Sequence, residues 1–153
     1  MSRTRAITAD ELRKLLRQLD DPARLAVRIA ADTGLRISDI LAIRPGDLAE
    51  KMVITERKTG KKRTVRLRPA TLKAAKAYSR YSGKFLIDRD RSTIYRQVRA
   101  AAEDLGLSHI SMHSIRKFYA RKYYAAHGLA RTQRELQHGY LSTTLLYVTD
   151  LEE

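Results

Sequence analysis

The 153-residue sequence contains no cysteine and no tryptophan, and it has only three prolines and seven glycines. The lack of cysteine excludes disulfide bonds, thiolate metal sites and a cysteine nucleophile. The low glycine and proline content is typical of a globular domain rather than a disordered or fibrous chain. No apolar run approaches the roughly 20 residues that a membrane-spanning helix needs. The length fits one domain with a hydrophobic core.

Acidic residues are also scarce. The sequence has 17 acidic residues against 31 lysines and arginines, which gives a net charge of +14. A folded domain with this excess attracts polyanions, and nucleic acid is the most common polyanion in a cell. A ribosome-like or merely basic protein is the alternative, and charge alone says nothing about catalysis. Residues 1–5 lack the apolar segment of a signal peptide, so we expect a cytoplasmic protein.

The first third of the chain is predicted to be helical. Residues 8–11 (TADE) form a capping box at the start of a first helix. Residues 21–22 (DP) cap and open a second helix, which Gly34 ends. A short third helix is predicted over residues 38–43, before the turn signal of residues 45–47 (PGD).

The sequence period then changes to that of β-structure. Residues 52–55 and 64–67 are rich in β-branched residues, and residues 58–61 (KTGK) are typical of a hairpin turn with a basic tip. A third, short strand is predicted at residues 84–87. These runs indicate an antiparallel sheet of two or three strands.

The rest of the chain is predicted to form further helices. The apolar spacing and the Gly and Pro signals place them at about residues 69–81, 92–105, 112–126, 132–137 and 142–149. The fold class is therefore mainly α (α+β), a single helical domain with one small antiparallel sheet.

Two polar residues lie close to the predicted start of the third helix. Arg36 follows Gly34 at a position where a side chain and backbone amides can face an anion together. An ordinary surface arginine is the alternative. Asp39, one turn later, either holds the Arg36 guanidinium in place or solvates the start of the helix.

A second polar pair lies on a later helix. His113 and Arg116 are three residues apart, so both side chains project to one side and can address one phosphate. A capping histidine and a solvated arginine are the alternative. Ile115, Phe118 and Ala120 mark a buried face, which leaves the pair on an adjoining face.

Three further residues could carry chemistry. His138 precedes a glycine near a predicted helix end, and Tyr147 follows on the next short helix. Tyr147 is one of eight tyrosines, and a packing role in its apolar surroundings is the alternative. Lys58 at the hairpin tip, taken alone, is a solvated loop lysine.

The order of these residues and the local sequence around them resemble those of the tyrosine recombinase (phage integrase) family. Residues 33–40 (TGLRISDI) are similar to its first arginine box, and residues 58–61 (KTGK) to its lysine hairpin. Residues 136–147 (LQHGYLSTTLLY) are similar to the segment that joins its histidine to its nucleophile. The likeness runs from about residue 8 to residue 147, and several boxes in the right order make it specific. The resemblance implies an integrase-like catalytic core.

The resemblance also implies roles for six residues. Arg36 and Arg116 would grip the oxygens of a phosphodiester, and His113 would be the general base or a phosphate ligand. Lys58 would be the general acid, although Lys61 and Lys62 lie close to it in sequence. His138 would be a further oxyanion partner and Tyr147 the nucleophile.

The reaction implied by the resemblance breaks and rejoins DNA strands. A 3′-phosphotyrosine link and a free 5′-hydroxyl would form, and a second 5′-hydroxyl would reverse the step. Because the ester retains the energy of the bond, no cofactor, nucleotide or metal is implied.

The resemblance gives expectations about partners and domains as well. Double-stranded DNA is the implied partner, with a monomer in isolation, a tetramer on DNA in the full-length recombinase, and no membrane contact. The location would be the bacterial cytoplasm or nucleoid. Residues 1–153 would be the catalytic domain without the N-terminal core-binding domain of the family, as a truncated protein or a natural single-domain one.

Two rival functions remain at the level of sequence. A type IB topoisomerase uses similar residues to nick and religate DNA without exchanging partners. A non-catalytic DNA-binding or regulatory module could retain the same fold. A pure binder has no need for an ordered histidine–tyrosine pair, which favours the recombinase.

Overall fold

The computed structural model describes residues 4–136. They form seven α-helices, two β-strands and two short 3-10 turns at Pro45–Asp47 and Ser79–Tyr81. In chain order the elements are α1 (Ala9–Gln18), α2 (Asp21–Thr33), α3 (Ile37–Leu41), β1 (Lys51–Thr55), β2 (Lys62–Arg66), α4 (Pro69–Tyr78), α5 (Arg91–Asp104), α6 (Met112–His127) and α7 (Leu129–Glu135). The mainly helical prediction with one small antiparallel sheet is confirmed.

Local signals explain the first helices. The Thr8 hydroxyl accepts the Glu11 amide and the Glu11 carboxylate accepts the Thr8 amide, so the predicted capping box is present. Asp20 caps α2, one residue earlier than predicted. Gly34 ends α2 in the left-handed conformation at φ 69°, which glycine adopts without steric cost.

The hydrophobic core surrounds α2. This helix packs against α1, α3, α4, α5 and α6. Its central residue Ile29 is fully buried, as are Leu15 of α1, Ile40 of α3, Ile94 of α5 and Ile115 of α6. Apolar side chains from five helices therefore fix the arrangement of the elements that carry the polar groups described below.

The sheet consists of β1 and β2 in antiparallel register, with Met52 opposite Val65 and Ile54 opposite Arg63. Met52, Val65 and Arg63 are buried, whereas Val53 is exposed. The inner face of the hairpin therefore brings a charged side chain, Arg63, into the interior.

The predicted third strand is wrong. Residues 83–87 form bends, and the sheet has two strands within the described part of the chain. Leu86 and Ile87 are buried, and the Leu86 amide donates to the Ile43 carbonyl at 2.8 Å. An apolar run at this position fills the core without pairing with a strand.

Some helix boundaries differ from prediction. The helix predicted over residues 69–81 ends at Tyr78 and continues as a 3-10 turn, and α7 begins at Leu129 rather than at residue 132. The helix predicted over residues 142–149 lies outside the described residues.

Residues 4–7, the N-terminal strap, lie against the start of α6. The Arg5 amide donates to the His109 carbonyl at 2.9 Å, and the Lys117 ammonium donates to the Thr4 carbonyl at 2.5 Å. Arg5 also forms two hydrogen bonds of 2.8 Å with the Glu11 carboxylate, which lower the pKa of Glu11 to about 2. Between residues 4 and 136, no helix is both long enough and apolar enough to cross a membrane.

Candidate functional site

Arg36 lies at the junction of α2 and α3, where it is the N-cap residue of α3. Its Nη1 donates to Glu56 Oε2 at 3.0 Å. Glu56 directly follows β1 and is fully buried, whereas the Arg36 side chain keeps 20% exposure. The buried carboxylate therefore fixes one side of the guanidinium and leaves part of it at the surface.

Asp39 does not hold Arg36. Its Oδ1 accepts the backbone amide of Arg57 at 2.9 Å, and its Oδ2 has no hydrogen-bond partner in the described part of the chain. The side chain is buried, so it does not solvate the helix start either. The carboxylate that pairs with Arg36 is Glu56, and Asp39 instead connects α3 to the base of the hairpin.

The hairpin turn presents Lys58. The Glu56 amide donates to the Lys61 carbonyl at 2.9 Å, and the Gly60 amide donates back to the Glu56 carbonyl at 2.7 Å. Gly60 has a φ of 72°, which suits a glycine. Lys58 lines the cleft that also contains Arg36, whereas Lys62 lines a different groove beside α7. This placement favours Lys58 over Lys62 as the lysine that faces Arg36.

The His113–Arg116 pair lies in the first turns of α6, which Ser111 caps. Both side chains line the same cleft as Arg36. Arg116 is nevertheless buried, and its Nε donates to the Gly34 carbonyl at 2.7 Å. Both side chains therefore face the cleft, and Arg116 reaches it from the protein interior.

The pKa of His113 is below its ordinary value. Partial burial is the main cause, and the positive charges of Arg116, Lys117, Arg36 and Lys58 add to it, because they disfavour a further positive charge. The imidazole is therefore neutral at neutral pH and can accept a proton there.

The cleft has a volume of 670 Å³. Five cationic side chains line it, and no carboxylate residue of the described chain does. Its lining residues are Leu35, Arg36, Ile37, Ser38, Arg57, Lys58, Arg91, Tyr95, Met112, His113 and Arg116. A concave surface with this charge suits an anionic group such as a phosphodiester.

Sequence reasoning missed four residues at this site. Arg57, Arg91 and Tyr95 line the cleft, and Glu56 lies beneath Arg36. The alternation of β1 contained a signal for Glu56, because every second residue from Met52 points inward and Glu56 continues that series. The other three depend on tertiary packing.

The structure thus brings together Arg36, Lys58, His113 and Arg116 from three separate segments. The other two predicted residues, His138 and Tyr147, lie outside the described residues. Leu136, the last described residue, accepts a hydrogen bond of 3.1 Å from Arg116 Nη2 through its carbonyl. The chain therefore leaves the described part next to the cleft.

Residues 5–153 match the family model described as the phage integrase family. A probable integrase/recombinase of Bacillus subtilis, YoeC, is 32% identical over 129 residues, with 76% of this chain and 71% of YoeC covered. Tyrosine recombinase XerD of Chlamydia trachomatis is 27% identical over 135 residues, with 75% of this chain covered. This chain spans 44% of XerD.

A solved structure with a similar fold is that of a lambda integrase dimer bound to a COC′ core site. Its TM-score is 0.80 at 23% identity, and the match covers 98% of this chain and 49% of the integrase chain. At that identity the likeness shows the fold. The chain spans about half the length of the integrase in that complex.

Proposed function

The chain belongs to the phage integrase family as a tyrosine recombinase catalytic domain, and we propose that it breaks and rejoins DNA strands through a covalent link on Tyr147. The observation that carries the proposal is the convergence of Arg36, Lys58, His113 and Arg116 on one cationic cleft. These are the residue types that transfer of a phosphodiester requires, brought together from positions far apart in sequence.

The two arginines bind the scissile phosphate in this proposal. Attack on a phosphodiester adds negative charge to its non-bridging oxygens, and guanidinium groups stabilise that charge without losing a proton. Glu56 uses one N–H of Arg36, which keeps the guanidinium in a fixed orientation towards the cleft. Arg116 is oriented by the Gly34 carbonyl in the same way.

Proton transfer accompanies the exchange of bonds. Tyr147 Oη attacks phosphorus and gives its proton to His113, whose lowered pKa keeps the imidazole neutral and able to accept it. The bond from phosphorus to the 5′ oxygen breaks, and Lys58 donates a proton to that oxygen. A 3′-phosphotyrosine and a 5′-hydroxyl result. The reverse sequence, with a 5′-hydroxyl from another strand, reseals the DNA, and His138 would add a further contact to the phosphate.

Double-stranded DNA is the substrate in this proposal. Arg57 and Arg91 extend the positive charge of the cleft beyond the four proposed catalytic residues that line it, and Tyr95 adds an aromatic face. Contacts of this kind are made mainly to the backbone and carry little base specificity. We expect the isolated chain to be monomeric and the whole recombinase to act as a tetramer on DNA. Asp39 supports the site by fixing the hairpin base through Arg57.

A denaturant-resistant adduct tests the proposal. The protein is incubated with a panel of nicked duplexes in which the short fragment that carries the new 5′-hydroxyl diffuses away, so that the covalent product accumulates. We expect wild type to form an adduct on at least one duplex and Tyr147→Phe to form none, because the phenyl ring has no nucleophilic oxygen. Tyr124→Phe, at an exposed position of α6, is the matched control and should behave as wild type.

Two results would overturn the proposal. An adduct formed equally well by Tyr147→Phe would assign the nucleophile to another residue. No wild-type adduct on any duplex, with DNA binding retained, would favour the non-catalytic binding module.

A further inference from the structure

Two buried arginines bind successive carbonyls at the end of α2. Arg63 Nη2 donates to the Thr33 carbonyl, and Arg116 Nε donates to the Gly34 carbonyl. The last carbonyls of a helix have no partner within the helix, and the helix dipole places partial negative charge there. The end of α2 is therefore a favourable place for two cations that have lost their hydration through burial.

The same two arginines also bind successive residues at the end of α7. Arg63 Nη2 donates to Glu135 Oε2 at 2.9 Å, and Arg116 Nη2 donates to the Leu136 carbonyl at 3.1 Å. The two guanidinium groups thus connect the C-terminal ends of α2 and α7. Because the contacts involve two positions on each helix, they fix orientation as well as distance.

Tyr119 of α6 completes this group. Its hydroxyl donates to Glu135 Oε2 at 2.5 Å, and its ring centre lies 5.6 Å from the Arg63 guanidinium carbon. Burial and the Glu135 carboxylate raise the pKa of Tyr119, so its hydroxyl remains a donor. We refer to Arg63, Arg116, Tyr119 and Glu135 as the polar bridge.

Burial of the charged groups of the polar bridge has a desolvation cost in free energy. Arg63 is 3% exposed, and its Nε and Nη1 have no hydrogen-bond partner among residues 4–136. Buried ion pairs are often replaced by apolar residues with little loss of stability or even a gain. The charged contacts have one property that apolar packing lacks, which is direction, since each bond fixes an atom to an atom.

We propose that Arg63, Tyr119 and Glu135 are positioning residues, which hold the end of α7 so that the following chain places Tyr147 at the phosphate. The inference rests on the proposed function. His138 lies three residues after Glu135 in sequence, and Tyr147 lies twelve residues after Glu135. Arg116 connects the cleft to the end of α7, because it lines the cleft and also binds the carbonyl of Leu136.

The test separates placement of the nucleophile from protonation of the leaving group. Adduct formation is measured at saturating DNA on two substrates, an ordinary duplex and one with a 5′-bridging sulfur at the cleaved bond. A thiolate leaves without receiving a proton, so the sulfur substrate no longer needs the general acid. Tyr119→Phe is the principal variant, because it keeps the ring and removes only the hydroxyl that binds Glu135. Glu135→Gln is the second variant and retains an acceptor oxygen.

We expect Tyr119→Phe and Glu135→Gln to slow adduct formation by about 10- to 100-fold on both substrates, because a small misplacement of a reacting group has effects of this size. Their DNA affinity should stay at the wild-type value, since Arg36 and Lys58 are unchanged. Lys58→Ala should be slow on the ordinary duplex and recover on the sulfur substrate. Tyr124→Phe should match wild type on both.

The outcomes distinguish this inference from the function on which it rests. If wild type forms the adduct and both variants match its rate, the positioning role is overturned and the proposed function stands. If the sulfur substrate restores the rate of Tyr119→Phe, the bridge acts on the leaving group, which also overturns the inference. If wild type forms no adduct on either substrate, the proposed function fails first.

Discussion

Two regions of the molecule bury side chains of opposite kinds. One is the apolar layer formed by α1, α2 and α5, and the other is the polar bridge between the hairpin, α6 and α7. In the layer, Leu15, Ile29 and Ile94 are fully buried, and charged side chains such as Arg13 and Lys14 of α1 lie on the exposed face. In the bridge, the buried side chains include Arg63 and Arg116, and the apolar cluster beside it is small.

The difference separates two requirements of the molecule. Apolar burial stabilises in proportion to area and specifies direction only weakly. Buried charges contribute less to net stability but fix individual atoms. Stability is therefore concentrated in the layer, whereas the charged contacts of the bridge fix the orientation of Arg116 and of the end of α7.

The largest expected effect is at Arg36, where a cleft residue neutralises a buried carboxylate. Arg36→Ala should lower the free energy of unfolding by about 3–5 kcal/mol, because the fully buried Glu56 loses its cation. Adduct formation should fall by about 100- to 1000-fold, as for the loss of one donor to a developing oxyanion. Urea unfolding and the adduct assay measure the two effects.

A double variant separates the two effects of Arg36. In Arg36→Ala with Glu56→Gln the buried charge is absent, so most of the stability should return while adduct formation stays low. Recovery of both properties together would show that Arg36 acts only through stability.

Leu15→Ala tests the layer. This residue is fully buried in α1, and its truncation should lower the free energy of unfolding by about 2–5 kcal/mol. The adduct rate of the folded protein at saturating DNA should be unchanged, because Leu15 is not among the described residues that line the cleft. A rate loss in fully folded protein would show that the layer also positions the site.

A pair of glycines tests the bridge with a smaller effect. Gly34 and Gly106 have φ values of 69° and 70°, so alanine at either position carries the left-handed penalty of about 1–2 kcal/mol. At Gly34 the new Cβ would clash with the Tyr119 ring, whereas at Gly106 it would meet no atom of the described residues within 4 Å. Thermal or urea unfolding should therefore show Gly34→Ala to be less stable than Gly106→Ala by about 1–3 kcal/mol.

Gly34→Ala should also slow adduct formation, because the displaced ring belongs to the polar bridge. Equal stability and equal adduct rates in the two alanine variants would mean that Tyr119 moves aside without consequence.

Local signals made much of the fold predictable from sequence. The capping box at Thr8, the helix stop at Gly34 and the hairpin around Gly60 each depend on a few neighbouring residues whose conformational preferences are strong. The proposed site residues could be chosen from sequence because their order resembles a known family.

Contacts distant in sequence were not predictable in this way. Glu56 is 20 residues from Arg36, and Glu135 is 72 residues from Arg63. Asp39 was the nearer carboxylate and therefore the natural guess for Arg36, but burial directs it to the Arg57 amide. The apolar run at residues 84–87 has the composition of a strand, yet the edge of the two-stranded sheet does not pair with it.

The N-terminal strap sets an order of events during synthesis on the ribosome. Its contacts join Arg5 to Ser108 and Thr4 to Lys117, which are separated by 103 and 113 residues. At about 5–20 residues per second, the residues of the strap wait roughly 5–20 s before their partners are made. The helix α1 can form early with its own capping box, but the strap beside it is completed only after α6 has emerged. The strap is thus made before its partners but reaches its final place after them.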